Sequence, residues 1–330
     1  MRALAISLVI TAFASLGADT QVVSGAPPKI YWAQSTDDRI SQAEADGANP
    51  LTILDFPQAN GVIDIAVDAA AGKVLWAQSF EDRILQADLD GANVQQIVEF
   101  PAANGIVAIA SDPIAGQIYW AQTLDDRIMR ADLSGANVEI LLDFLEVANV
   151  VDVEVDPLAG KLYWAESPGD RIRRANLDGS GAEDIASFPD VSGVLAIALD
   201  SQNAFLYWAQ TFSDRIRRID LGGMTIGTVL ENPAAQTVVD LVVDGPGGNI
   251  YWAQSVDDTV RRADLGGNGP HSILDWPNVD QPVAVAMQPT VPDGPIVPTV
   301  SEWGLIVVTL LVVTAGTLLL GVGRMGRRTA

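Results

Sequence analysis

Asp64, Asp152 and Asp240 recur at alternate repeats of this chain, with Ala108, Ala196 and Ala284 at the equivalent positions between them. Carboxylates brought together on one axis are the oxygen donors that a hard cation such as Ca²⁺ takes, so the three are candidate ligands of an axial ion. Spacing alone does not fix side-chain direction, and the alternative is that they are solvated or accept hydrogen bonds from backbone amides beside a water-filled channel. A second polar set is Arg39, Arg83, Arg127, Arg171 and Arg215, each preceded by an aspartate (Asp38, Asp82, Asp126, Asp170, Asp214), while the sixth copy has Thr259. Fivefold repetition reads as structural: each guanidinium is expected to fork onto a carboxylate or loop carbonyl and tie neighbouring repeats together. The spacing of a catalytic set is absent. His271 is the one histidine and sits beside a turn in "GNGPHSIL". No Ser-His-Asp set, phosphate-binding glycine loop or metal-binding histidine pair is present. Zero cysteines exclude a disulfide framework, a thiolate zinc site and a cysteine nucleophile. A net charge of −23 opposes binding to nucleic acid through phosphate and favours cationic partners or divalent ions.

The elements that must position these residues are legible in "IYWAQSTDDRI", Ile30 to Ile40, which returns with small changes in six copies. Trp32, Trp76, Trp120, Trp164, Trp208 and Trp252 mark them at a constant spacing of 44 residues. A fixed period means units that cannot bury their apolar faces alone and must stack on neighbours. Within one unit, "VIDIAVD", "KVLWAQS", "RILQADL" and "NVQQIVEF" read as four short strands separated by turns, the content of a propeller blade. Asp-Gly and Gly-Gly pairs such as Asp90-Gly91 and Gly266-Gly267 supply the positive φ of tight hairpins. The first copy lacks its first strand, and "PVAVAMQ", Pro282 to Gln288, supplies it from the far end. The fold class is therefore all-β, a six-bladed β-propeller over residues 30–289 whose first blade is closed by a C-terminal strand, leaving no open edges. Acids at Asp37, Glu81, Asp125 and Asp257 are expected to make the face of the second-to-third-strand turns strongly negative.

The Tyr-Trp pairs, the "AxD" ending the first strand (Ala66-Val67-Asp68) and the "IxRADLDG"-like third strand resemble the YWTD repeats of the LDL-receptor class B propeller across all six copies. That family has Thr-Asp after Tyr-Trp. Here the pair is Ala-Gln, and Ala165-Glu166 in the fourth copy. The hydrogen bonds implied for the family's aspartate must be made differently by Gln34, Gln78, Gln122, Glu166, Gln210 and Gln254.

Both ends differ from the repeats. Residues 1–18 read as a secretory signal and 19–29 as a linker. After a Pro-rich linker at 290–296, residues 297–330 hold "VPTVSEWG", an uncharged run from Gly304 to Val322 long enough to cross a bilayer, then Arg324, Arg327 and Arg328. Val297, Pro298, Thr299, Val300, Ser301, Glu302, Trp303 and Gly304, followed by a transmembrane helix and a basic cluster, resemble the IPTL-type sorting tail of exported bacterial proteins. The resemblance implies processing by an exosortase-like membrane protease. An ordinary single-pass anchor with an interfacial tryptophan is the alternative. In either case the repeats face outward.

Together these readings predict an exported, non-enzymatic, monomeric propeller that binds a protein or extracellular-matrix ligand at the envelope or after release. A propeller hydrolase or lyase using an axial divalent metal is the competing expectation, since the fold hosts both kinds of function.

Overall fold

The computed structural model describes residues 27–288 apart from 56, 100–104, 144–146, 148, 168, 188, 212, 223–224, 232–236 and 276. The signal segment, the sorting motif and the apolar C-terminal run lie outside the described residues.

Six antiparallel sheets of four strands each carry the described chain. In the second blade the order from the axis outward is Val62–Asp68, Lys73–Gln78, Arg83–Asp88 and Gln95–Glu99. The inner strand of the first blade is Pro282–Gln288, which pairs with Lys29–Gln34 so that Trp32 lies opposite Val285 and Lys29 opposite Gln288. Closure by the C-terminal strand is thus as the repeat register requires.

Side chains of a strand alternate between its two faces, and here both faces of every blade are covered by neighbours. Tyr31 and Ala33 of the first blade join Ile65, Val74 and Trp76 of the second in one buried cluster, whereas Ile30 and Trp32 turn the other way onto Tyr251 and Ala253 of the sixth. All six repeat tryptophans are fully buried in these seams. The hairpin glycines serve the same seams. Gly91 has a φ of 86°, and a Cβ placed there would stand 2.1 Å from the carbonyl oxygen of Ile53 in the preceding blade. Its identity is set by close blade-to-blade approach as well as by turn geometry.

The inner and second strands shift register at an equivalent point in every blade, as between Val62 and Asp64 in the second. Such a bulge bends the strand and re-aims side chains. It lets two consecutive residues, Ile63 and Asp64, both reach the propeller axis, at different depths.

Candidate functional site on the propeller axis

The second residue of each inner strand forms a ring of six aliphatic side chains, Ile63, Val107, Val151, Leu195, Val239 and Val283. They line a funnel of about 720 Å³ that opens on the face carrying the turns between second and third strands. Phe80, Leu124 and Val256 lie in those turns and are 82%, 71% and 70% exposed. The acids expected there from the sequence, Asp37, Glu81, Asp125 and Asp257, occupy the same turns, so this face has an apolar centre within a negative surround. The ring is present in the sequence as six aligned aliphatic residues, whose types alone are those of a core.

Below the funnel, a smaller axial cavity of about 180 Å³ is lined by Asp64, Asp152, Glu154 and Asp240 among apolar neighbours. Each aspartate accepts two backbone N–H bonds. One oxygen of Asp64 takes the amide of Ile65 at 2.8 Å and the other takes that of Ile109 in the next blade at 2.7 Å. Asp152 does the same for Val153 and Ile197, and Asp240 for Leu241 and Val285, all at 2.7 Å. An inner strand has no partner on its axial edge, so these amides would otherwise lack acceptors. One carboxylate has two oxygens, so three serve six blades. That accounts for the alternation of aspartate and alanine.

The three carboxylates are thus acceptors for backbone amides, the role that the sequence set beside an axial Ca²⁺. Among the described residues, no group of three or more acidic or histidine side chains is spaced to hold a metal ion. The environment of the carboxylates is costly for charge. Burial pushes Asp64 up to about 7 against the pull of its two amide bonds. Burial, followed by the charges of neighbouring acids, raises Asp152 and Asp240 well above the usual carboxylate range. Glu154 is pushed up to about 8 by burial and then by Asp240 and Asp64.

The repeated arginines pair near their own turns. Among the described residues they pair as follows: Arg39 with Asp37 and Asp55 at 2.9 Å, Arg83 with Glu81 and Gln78, Arg127 with Asp125 at 3.3 Å, Arg171 with Glu166, and Arg215 with Glu231 at 3.3 Å. The preceding aspartate makes the inter-blade tie. Asp38, Asp82, Asp126, Asp170, Asp214 and Asp258 each accept the amide 23 residues on, at Gly61, Gly105, Asn149, Gly193, Thr237 and Gln281, over 2.7 to 3.3 Å. Asp258 keeps the bond although Thr259 replaces arginine after it, so the tie does not depend on the arginine. The physical reason is reach: these aspartates have φ near 50°, which turns the short carboxylate toward the start of the next blade. Arg130, Arg174 and Arg218 cross seams, donating to the carbonyls of Leu177, Leu221 and Leu265 at 2.7, 2.6 and 3.0 Å.

Asp126→Ala is accordingly expected to lower stability by about 1–3 kcal/mol, because it strands a backbone amide at a seam. Arg127→Ala removes a partly exposed pair and is expected to cost less than about 1 kcal/mol. Chemical denaturation of the two variants measures the difference, and a larger loss for Arg127→Ala would restore the arginine as the tie.

Gln78 and Gln210, each two residues after a repeat tryptophan, are buried donors. Gln78 gives its amide to the carbonyls of Gln58 and Asn60 at 3.1 and 2.6 Å, and Gln210 to those of Asp190 and Ser192 at 3.0 and 3.1 Å. A carboxylate cannot make those bonds. Glu166 instead accepts from Trp164 at 2.9 Å and pairs with Arg171 and Arg173. His271 is exposed and its Nδ1 lies 2.8 Å from the carbonyl of Gly269, away from the axis.

No family model matches the chain. No curated protein matches it in sequence. Among solved structures, a nidogen/laminin complex aligns with a TM-score of 0.70 at 19% identity, over 79% of this chain and 98% of that one. TolB from Acinetobacter baumannii aligns with a TM-score of 0.65 at 14% identity, over 80% of this chain and 67% of that one. At these identities the likeness is one of fold.

Proposed function

We propose that the protein is an exported YWTD-type propeller that works as a non-enzymatic interaction scaffold and engages a protein partner at the funnel face. The observation that carries this reading is an apolar ring with exposed Phe80, Leu124 and Val256 at the centre of an otherwise acidic face. An apolar patch rimmed by charge is the form of a recognition surface, with apolar anchors supplying affinity and charges supplying selection. The complementary partner presents one or two apolar side chains flanked by lysine or arginine. The nidogen structure aligned above is of a complex with laminin, which is consistent with a propeller of this fold presenting a protein-binding face. The resemblance of residues 297–330 to an IPTL-type tail supports delivery by export, insertion and processing by an exosortase-like protease.

Peptides selected from a displayed random library on the purified protein are expected to carry an apolar anchor with basic neighbours. Leu195→Asp at the funnel is expected to weaken them about tenfold or more, with melting unchanged. Val138→Asp, on an exposed outer position, should leave affinity intact. Equal binding to both variants would reject the funnel as the site. For sorting, deletion of residues 297–304 is expected to block tail processing in cells that hold such a protease, and unchanged processing would reject that part.

A further inference from the structure

We infer that the funnel face is not sixfold in function: the partner's lysine or arginine docks over the turn of the sixth blade, at Asp257 and Asp258, while its apolar anchor enters the aliphatic ring. The inference rests on the funnel as the binding site proposed above, and it adds the one direction in which the partner's charge must point.

A ring of similar blades offers an apolar anchor six nearly equivalent orientations, because the residues that line it are aliphatic in every copy. Selection of one orientation has to come from the turns between second and third strands, where the copies diverge. In the first three blades each turn acid has a guanidinium beside it. Asp37 pairs with Arg39 at 2.9 Å, Glu81 with Arg83, and Asp125 with Arg127 at 3.3 Å. In the fourth and fifth, Gly169 and Ser213 stand where those acids do, and Asp170 and Asp214 are followed by Arg171 and Arg215. The sixth turn has Asp257, Asp258 and then Thr259, which is buried and uncharged. Counted over these three positions, the first three turns hold one net negative charge each, the fourth and fifth none, and the sixth two.

The surroundings of the sixth turn leave that charge in place. Asp257 is exposed and makes no ion pair or side-chain hydrogen bond among the described residues. Asp258 accepts the amide of Gln281 at 2.8 Å and lies in the funnel wall with Ser255 and Val256. The next cations along the strand are engaged elsewhere. Arg261 lies over the Trp252 ring at 5.7 Å and donates Nη1 to Gln254 at 3.2 Å, and Arg262 lines a separate cavity with Tyr251 and Pro28. Connections from outer to inner strands bring acids to every blade at this end, Asp55, Glu99, Asp143, Asp190, Glu231 and Asp275 among them, so they do not single out the sixth. The turns do. A guanidinium beside a carboxylate cancels much of its field beyond a few ångströms, whereas two uncancelled carboxylates attract a cation from about a Debye length away. Val256 adjoins them and is 70% exposed, so a base flanking an apolar anchor meets both of its complements here.

Hexylammonium and hexanol share an alkyl chain and differ in charge, which makes them probes of the two parts. Both are titrated into the purified protein at low salt and followed by saturation-transfer NMR. Hexylammonium is expected to bind at least about fivefold more tightly than hexanol. Asp257→Asn, and Thr259→Arg, which supplies the guanidinium of the other five turns, are each expected to lower that ratio about threefold or more. Asp125→Asn changes the net charge as much as Asp257→Asn does but removes an acid already paired, and is expected to change the ratio less than about twofold. Equal falls for Asp125→Asn and Asp257→Asn, or a ratio near one in the unaltered protein, overturn the sixth-blade assignment, and the funnel stands if Leu195→Asp abolishes binding of both probes. Binding of neither probe, or retention of both by Leu195→Asp, rejects the funnel reading itself and this inference with it.

Discussion

A chain ended after Asp275 loses its cooperative thermal transition, whereas one ended after Pro292 keeps it. The shorter chain lacks Pro282–Gln288, and with it the only partner of the axial edge of Lys29–Gln34. It also removes Val285 and Met287 from the cluster that holds Trp32, Ile30 and Tyr251, and Ala284 and Ala286 from the cluster on the other face. Burial of each large apolar side chain is worth about 1.5–3 kcal/mol. The seams on both sides of the first blade open as well, so the loss rivals a net stability of about 5–15 kcal/mol. A ring differs from an open repeat array in this respect, because an open array can shed a terminal unit and keep the rest. Calorimetry of the two truncations is the measurement. Matching transitions would mean that the ring does not depend on closure.

Acidification from pH 8.5 to 5.5 raises the melting temperature, contrary to the usual acid lability of proteins. Glu154 stands at about 8 and Asp64 at about 7 in the folded state, and Asp152 and Asp240 are also raised. In the unfolded chain these carboxyls titrate near 4. Between about pH 4 and 8 the folded protein therefore holds protons that the unfolded chain releases. Stability rises as pH falls through that window and is lost as pH rises through the folded values. One such proton changes stability by about 1.4 kcal/mol per pH unit, and mutual coupling of the four groups keeps the sum to a few kcal/mol. Glu154→Gln is expected to raise the melting temperature at pH 8.5 and to flatten the dependence. Exposed Glu99→Gln serves as the control for the general relief of a net charge of −23. A melting temperature that falls steadily below pH 8.5, or equal effects of the two substitutions, would refute the axial origin.

Strand positions, blade number and closure are legible in the sequence because they rest on local rules. Alternation with period two marks strands, turn residues mark their ends, and a repeat length of 44 leaves one register for "PVAVAMQ" to join. The turns' acidity was equally local. Even the alternation of Asp64, Ala108, Asp152, Ala196, Asp240 and Ala284 was visible as a pattern.

What each polar side chain touches was decided only by the assembled ring. Asp38 and Arg39 are adjacent and both recur, yet the aspartate reaches Gly61 at the start of the next blade while Arg39 pairs with Asp37 and Asp55 of its own. Asp64 finds its second partner 45 residues away, at Ile109. Arg130 finds its partner 47 residues away, at Leu177. Nothing in a repeat distinguishes these cases, since each depends on blade spacing and on which edge groups remain unpaired. The funnel was hidden for a related reason. An aliphatic residue at the second place of a strand looks like core, and only the bulge between Val62 and Asp64 turns Ile63 and its five counterparts toward the axis. Local pattern determined the strands and their faces. The sixfold packing of one blade on the next left axial amides that needed acceptors, and the tertiary structure thereby assigned three carboxylates to holding the ring together.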